Sequence, residues 1–326
     1  MELIQTDHNL IEKQSILNFN AWDLVSGLSS EYEANDFQLS MPETVWNEMP
    51  VIKGHYLYEP GTEWGGRVEG IAHINGEIQL KGATWRGLLA RKIVSPPALS
   101  AYKVITSIDA NTAISTLVGT SFGELIKVKS ESAGVNVSGQ FRYTNLLSAI
   151  HTMLDQYGLR LKVEFDGKTV WLSAEAVTDL SDESELSQDY SAPVESSQDE
   201  SQAYNHVIAL GSGELVDREV IELYRDDAGT ISTTPLPEGI EDKQIVLDFP
   251  NAESTEELTK AATDKLIETA PVSEVSIDLS EAQGLNLGDL VGGRDRITNL
   301  QIVKPITQII RRVDSSGESI EYKVGE

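Results

Sequence analysis

Gly119-Thr120-Ser121-Phe122-Gly123 has the G-x-S-x-G spacing of a nucleophile elbow, a tight turn that exposes a serine hydroxyl. That chemistry needs a buried strand before the serine, a helix after it, and a histidine and an acid further on. Here ISTLV, before the first glycine, reads as helix, and ELIKVKSESAGVNVSG, after the last, reads as extended chain. The order is reversed. His151 and His206 do follow, but the first falls within an amphipathic helix and the second at the start of a strand. The pattern predicts an ordinary turn. Gly211-Ser212-Gly213 follows an apolar strand, as a dinucleotide-binding loop would. The third glycine is absent and REVIELY continues as strand, so no helix N-terminus is available for a pyrophosphate. A hairpin bend or bulge is the expectation.

The five histidines, at 8, 55, 73, 151 and 206, form no close-spaced metal pair, and no H-E-x-x-H occurs. His73 reads as a surface residue beside a turn. Cysteine is absent, which removes disulfides, thiolate ligands and thiol nucleophiles together and suits folding in a reducing cytosol. With 52 carboxylates an acid pair for glycoside cleavage could always be nominated, but nothing singles one out. Trp22, Trp46, Trp64, Trp85 and Trp171 could line a sugar site, yet Trp85 and Trp171 sit on patterns that bury them, so core aromatics are expected. The sequence therefore predicts no catalytic residue, no metal site and no cofactor.

The net charge of −27 argues against a duplex-binding domain, which needs a basic face to displace counterions from phosphate. It fits a soluble, self-repelling surface, or an acidic channel wall past which nucleic acid slides without sticking. No apolar run reaches the length of a membrane span, and the acidic start MELIQTDHN predicts no signal peptide.

The elements that must position these residues are mostly strands. Phe37, Leu39 and Met41 alternate, as do Ile78 and Leu80, and Asn75-Gly76 is a strong hairpin signal. Trp85, Leu88, Leu89 and Ile93 then take helical spacing until Pro96-Pro97 stops the element. A short helix is expected around 109–119, and a stronger one from Thr144, with Leu146, Leu147, Ile150, Met153, Leu154 and Tyr157 on one face and Gly158 as its stop. LRLKVEF turns at Asp166-Gly167 and returns as KTVWLSA. Residues 178–202 carry eight acids, seven serines and no Lys or Arg, which predicts an exposed, mobile linker or loop. HVIALGSG and REVIELY read as strands. Ser254 and Glu257 are spaced as a capping box before a helix that Pro271 ends. Val275, Ile277 and Leu279, and later Ile320, Tyr322 and Val324, alternate again.

Two distant segments share a pattern. Gly54 to Gly82 and Gly288 to Gly325 each enter a strand after a glycine and pass a Gly-Gly-Arg. The two copies are Gly65-Gly66-Arg67, preceded by Trp64, and Gly292-Gly293-Arg294. Each segment then makes a hairpin and ends on an alternating strand closed by glycine, which suggests two copies of one barrel. Trp64, Gly65, Gly66, Arg67, Gly292, Gly293 and Arg294 are accordingly the candidate structural motif.

Taken as an ordered set, FQLSMP, TEWGGRVEGI, EIQLKGATWRGLLARKIVSPP, NHVIALGSGELVDREVIELY, LGDLVGGRDRITNLQIVKPITQIIRR and SIEYKVG resemble the baseplate hub proteins at the tail tip of long-tailed phages. That family includes the N-terminal part of tail-associated lysins and is similar to contractile-tail hub proteins. The resemblance implies a mainly β protein with α+β insertions, two tail-tube-like β-barrels plus two smaller domains. By analogy, 1–97 is the first barrel with a closing helix and 98–177 a small α+β domain. The acidic stretch 178–202 is the linker, 203–235 with 272–326 the second barrel, and 236–271 a helical insertion. The resemblance further implies a non-enzymatic homotrimer that joins the six-fold tail tube and distal tail protein ring to three-fold tip components. Its partners would be that ring, the tape-measure protein and a tail fibre or tip protein, with DNA only in transit and no membrane insertion by this chain. Its place would be the virion tail tip, assembled in the host bacterial cytoplasm. Because the chain stops at Glu326, just after the last barrel strand, any lytic role is expected on another polypeptide. The alternatives are a carbohydrate-active or other hydrolytic enzyme with an acidic cleft, and the equivalent hub of a contractile injection system.

Overall fold

A computed structural model describes residues 1–180, 194–199, 203–226, 229–252, 254–270, 272–277, 284–294 and 301–325, with only the backbone of 194–199, 272–277, 293–294 and 301–302 considered. Strand takes up 43% and helix 18%, so the protein is mainly β, as expected. The chain forms two compact units. One comprises Met1–Pro193, Ile277–Arg294 and Gln301–Glu326, the other Val194–Ser276 and Asp295–Leu300.

A ten-stranded antiparallel sheet dominates the first unit. From one end its order is Glu12–Ile16, Leu3–Thr6, Tyr56–Tyr58, Gly65–Ile74, Glu77–Thr84, Asp36–Pro42, Ala21–Gly27, Gln301–Asp314 and Leu290–Arg294, and Gly317–Val324 also pairs with Gln301–Asp314. The alternation read from the sequence sets the register. Trp22 lies opposite Leu39, Leu39 opposite Leu80 and Met41 opposite Ile78, so one face of each strand buries the same apolar row. Asn75 and Gly76 take φ of 53° and 81°, the left-handed pair that a two-residue hairpin requires.

Among the described residues this sheet does not close into a barrel, and neither does the sheet of the second unit. The C-terminal strand Gln301–Asp314 pairs with Ala21–Gly27, Arg311 opposite Leu24 and Val313 opposite Trp22. The sequence similarity between the two ends therefore maps onto neighbouring parts of one sheet. Each similar segment is a three-stranded meander: Tyr56–Tyr58, Gly65–Ile74 and Glu77–Thr84 in the first, Leu290–Arg294, Gln301–Asp314 and Gly317–Val324 in the second.

An α+β layer adjoins the sheet within the same unit. The strand pair Lys103–Asp109 with Asn136–Phe141, and the strands Ile126–Val128, Val170–Ala176 and Leu159–Phe165, surround helices Ala110–Val118 and Leu146–Asp155. Asp109 Oδ1 accepts from Asn111 N at 3.0 Å, and Asn145 Oδ1 from Leu147 N at 3.0 Å, so each helix starts on a side-chain cap. Gly158, at φ 63°, lies just past the second helix. Leu146, Ile150 and Met153 pack with Trp85 and Leu89 in one core cluster. Helix Trp85–Ala90 thus shares its core with the α+β layer, where a barrel-closing role was expected. Arg86 reinforces this by donating to Leu161 O at 2.9 Å.

In the second unit a four-stranded sheet runs Ile231–Ser232, Val220–Arg225, His206–Leu210, Gln244–Asp248, the last two parallel. Helix Thr255–Glu268 lays Leu258, Ala262 and Leu266 on Val207, Ala209 and Leu223, and Ser254 Oγ caps it by accepting from Glu257 N at 3.2 Å. The sheet runs across the boundary drawn from sequence between 235 and 236, because Gln244–Asp248 pairs with His206–Leu210 and packs Ile245 and Leu247 on the same core. Val194–Asp199 pairs with Val272–Ile277, so part of the acidic stretch is strand. Composition set the expectation of a loop there, and a partner strand overrides it. Residues 178–180 run beside Leu290, and 181–193 and 200–202 lie outside the described residues.

Candidate functional site

The first unit contains a cleft of about 660 Å³ lined by Trp64, Arg86, Arg160, Phe165, Trp171 and Tyr322 among others. Helix Trp85–Ala90 delivers Arg86, and the hairpin Leu159–Phe165/Val170–Ala176 delivers Arg160, Phe165 and Trp171. Trp64 comes from the turn before Gly65–Ile74.

Charge in and around this cleft is tightly paired. The buried Arg86 lies 3.5 Å from Glu63 through Nη2, while its Nε and Nη1 have no hydrogen-bond partner. Loss of solvation pulls its pKa down, and the Glu63 carboxylate opposes that. Arg160 reaches Glu175 at 2.9 Å and Asp289 at 3.3 Å. Lys162 meets Glu175 at 2.6 Å and Glu164 at 3.2 Å, and Lys129 also pairs with Glu164, whose carboxyl is held below its ordinary range chiefly by Lys129. Trp171 donates through Nε1 to Asp166 at 2.7 Å. Trp171 is half-buried where full burial was expected, whereas Trp85 is fully buried. Arg86, Arg160, Lys129 and Lys162 thus each face a carboxylate across the cleft or at its rim.

The candidate motif residues fall as follows. Trp64 packs against the sheet core and also against the cluster of Leu287, Val291, Ile306, Ile309 and Tyr322, with the Arg311 guanidinium 5.7 Å from its ring centroid. Gly65 and Gly66 open a strand opposite Tyr58 and Leu57, and Arg67, exposed, lies opposite Tyr56. Gly292, Gly293 and Arg294 end a strand, opposite Val303, Ile302 and Gln301. The two Gly-Gly-Arg triplets therefore occupy unlike places in their meanders, one opening the middle strand and the other closing the first. Arg86 and Arg160 were missed because an arginine within an apolar run reads as the exposed side of an amphipathic helix or strand. The adjacency Trp85-Arg86 on a short helix was the available signal.

The discounted motifs stand as turns. Ser121 follows helix Ala110–Val118 in a turn whose Gly119 and Gly123 both have φ 56°. Gly211-Ser212-Gly213 links Val220–Arg225 to His206–Leu210 in a hairpin. His206 Nδ1 sits 2.8 Å from Asp242 and its Nε2 3.7 Å from Glu222, over the Tyr224 ring. His73 is exposed. Among the described residues no group of three or more His, Asp or Glu could hold a metal ion, and no helix is long and apolar enough to cross a membrane.

Residues 29–326 match the family model of the Siphovirus ReqiPepy6 Gp37-like protein. No curated protein matches the sequence. Among solved structures, the 43 kDa tail protein of prophage MuSo2 from Shewanella oneidensis is similar with a TM-score of 0.57 at 13% identity, covering 100% of this chain and 98% of that one. The prophage tail protein gp18 from Listeria monocytogenes EGD-e gives 0.54 at 12% identity, covering 100% and 95%. The tail protein from Neisseria meningitidis MC58 gives 0.50 at 12%, covering 100% and 96%. At these identities the likeness speaks for the fold. The family match extends over nearly the whole sequence, and the chain belongs to the Siphovirus ReqiPepy6 Gp37-like family.

Proposed function

We propose that this chain is the hub subunit of a phage tail tip and works by assembly, without catalysis. Three copies form a ring that joins the six-fold tail tube and distal tail ring to three-fold tip components. The tape-measure protein and a fibre or tip protein are its other neighbours. The lumen passes DNA and tail proteins during ejection, and the net charge of −27 keeps phosphate from binding as it moves. Assembly takes place in the host cytoplasm. In this reading the two antiparallel meanders are the counterparts of two tube-like folds in one chain, which would let three chains face a six-fold ring.

The observation that carries the reading is a fold shared end to end with a tail protein, 100% of this chain on 98% of that one. Native mass measurement of the purified chain, alone and with the distal tail ring, tests the stoichiometry, and gold-labelled antibody on virions tests the place. A trimer and label at the tail tip are expected. Label on the head or along the tube, or a dimer or hexamer in the assembled particle, would overturn the reading.

A further inference from the structure

Two short antiparallel ribbons meet on the outer side of the α+β layer. Ile93–Val94 pairs with Thr144–Asn145, and Lys103–Asp109 with Asn136–Phe141, so residues 140–145 are a border common to both. Val94, Ile105 and Phe141 point into the core. Their neighbours Ile93, Tyr102, Val104 and Tyr143 point out, Tyr143 with 67% of its surface exposed, and Leu99 in the intervening connection is fully exposed. Leu99 and Tyr143 are held at φ of 64° and 50°, a left-handed conformation that costs energy for a bulky residue. Five large apolar side chains are thus exposed on or beside these two ribbons, between residues 93 and 143.

The sequence around these residues is basic, whereas the protein as a whole is acidic. From 91 to 107 the sequence has Arg91, Lys92 and Lys103 and no carboxylate, and from 132 to 154 it has Arg142 and none. Arg91 is paired with Glu69. Lys92 lies over the Phe122 ring and Lys103 donates to Thr116 O, and neither these two nor Arg142 has a carboxylate partner among the described residues. An apolar, basic face on a chain of net charge −27 complements the surface of that same chain.

We propose that this face, Ile93, Leu99, Tyr102, Val104 and Tyr143 rimmed by Lys92, Lys103 and Arg142, docks a second copy of the chain through that copy's acidic surface. Contact between unlike surfaces is head-to-tail, the kind that closes rings. The proposal rests on the reading of the chain as a self-assembling subunit and names the surface that reading lacks.

The absence of cysteine makes a single Tyr143→Cys the only thiol, so a maleimide-benzophenone photocrosslinker marks this face alone. Irradiation of the labelled full chain is expected to yield a species of two chain masses, lost when a Ile93→Asp/Val104→Asp pair is added. That pair, made alone, is expected to weaken self-association at least tenfold while its circular dichroism and melting stay those of the parent. Lys103→Glu/Arg142→Glu should weaken it too and remove part of its salt dependence. A parent chain that stays monomeric at all concentrations sinks the assembly reading and this inference together. A parent that assembles while the crosslink and both variants leave assembly unchanged sinks this surface alone. Crosslinks that form only with added duplex DNA, or binding only to anionic vesicles, likewise overturn it in favour of those ligands.

Discussion

Arg311 donates from Nε to Glu318 at 2.6 Å and from both terminal nitrogens to Glu59, 252 positions away along the chain. The Trp64 ring lies beneath the same guanidinium. With its side chain only 5% exposed, Arg311 has two carboxylates and an indole face around it in place of water. This contact ties the strand Gln301–Asp314 to the turn that opens the Gly65–Ile74 strand. Arg311→Met leaves Glu59 largely buried and unpaired, and should lower the unfolding free energy by about 3 kcal/mol. Urea unfolding measures this, and adding Glu59→Gln should restore part of the loss. An unchanged midpoint in the single variant would mean that the pair contributes nothing.

Gly66 is required for close backbone approach. A Cβ there would stand 2.0 Å from Ala83 O and 2.8 Å from Thr84 Cα, backbone atoms that have no rotamer to yield. In the same strand a Cβ on Gly70 would meet nothing nearer than Lys81 Cβ at 3.5 Å. Gly66→Ala should cost about 3 kcal/mol or prevent folding, whereas Gly70→Ala should stay within about 1 kcal/mol of the parent. Thermal melts of the two variants make the comparison, and equal tolerance would remove the packing role assigned to Gly66.

These two positions show how far the sequence could be read. Gly65 and Gly66 were noticed through a repeated pattern, yet their demand comes from Tyr58 and Ala83 across the sheet, which no local spacing reveals. Local signals did well where the cause was local: Asn75-Gly76 made its hairpin, and Asp109, Asn145 and Ser254 capped their helices. Closure is not local. Alternation in Gln301–Asp314 says that one face is buried but not which strand lies beside it, and the structure places Ala21–Gly27 there, Val313 opposite Trp22. The cleft was hidden for a similar reason, because Arg86 and Arg160 become visible only with Glu63, Glu175 and Asp289 in place.

Asn35 offers a sharper test of a non-local polar contact. It is fully buried, its Oδ1 accepts from Gly27 N at 3.0 Å, and its Nδ2 donates to Ser29 O at 2.6 Å. Its carbonyl accepts from the Thr84 hydroxyl at 3.0 Å, next to helix Trp85–Ala90. Asn35→Leu strands one donor and one acceptor while keeping the volume, and should destabilise the protein by about 2–4 kcal/mol. Asn35→Asp keeps the acceptor but loses the donor and should be intermediate. Amide exchange at Gly27 should rise in Asn35→Leu but not in Asn35→Asp, and protection equal to the parent's in Asn35→Leu would show that water or another group takes the place of the side chain.

His151 gives the protein a pH dependence of known sign. Its Nε2 is buried without a hydrogen-bond partner, and loss of solvation, with the Arg86 charge as the second cause, drives its pKa from 6.5 down to about 3. In the unfolded chain the ring takes up a proton as pH falls through about 6.5, whereas in the folded protein it stays neutral until far lower pH. The unfolded state therefore binds more protons between these values, and stability is lost as pH falls across that window, at up to about 1.4 kcal/mol per pH unit. His55, also pulled down by burial, adds to the loss with the same sign. The carboxylates held low, Asp109, Asp166 and Glu164, add theirs only as pH falls further, below about 4. His151→Met should therefore flatten the decline between about pH 6.5 and 4.5 and leave the steeper acid limb in place. Urea unfolding of parent and variant across that range separates the two. A parent curve that is flat there, or a variant curve that falls as steeply as the parent's, would show that His151 is solvated and free to take its proton in the folded state.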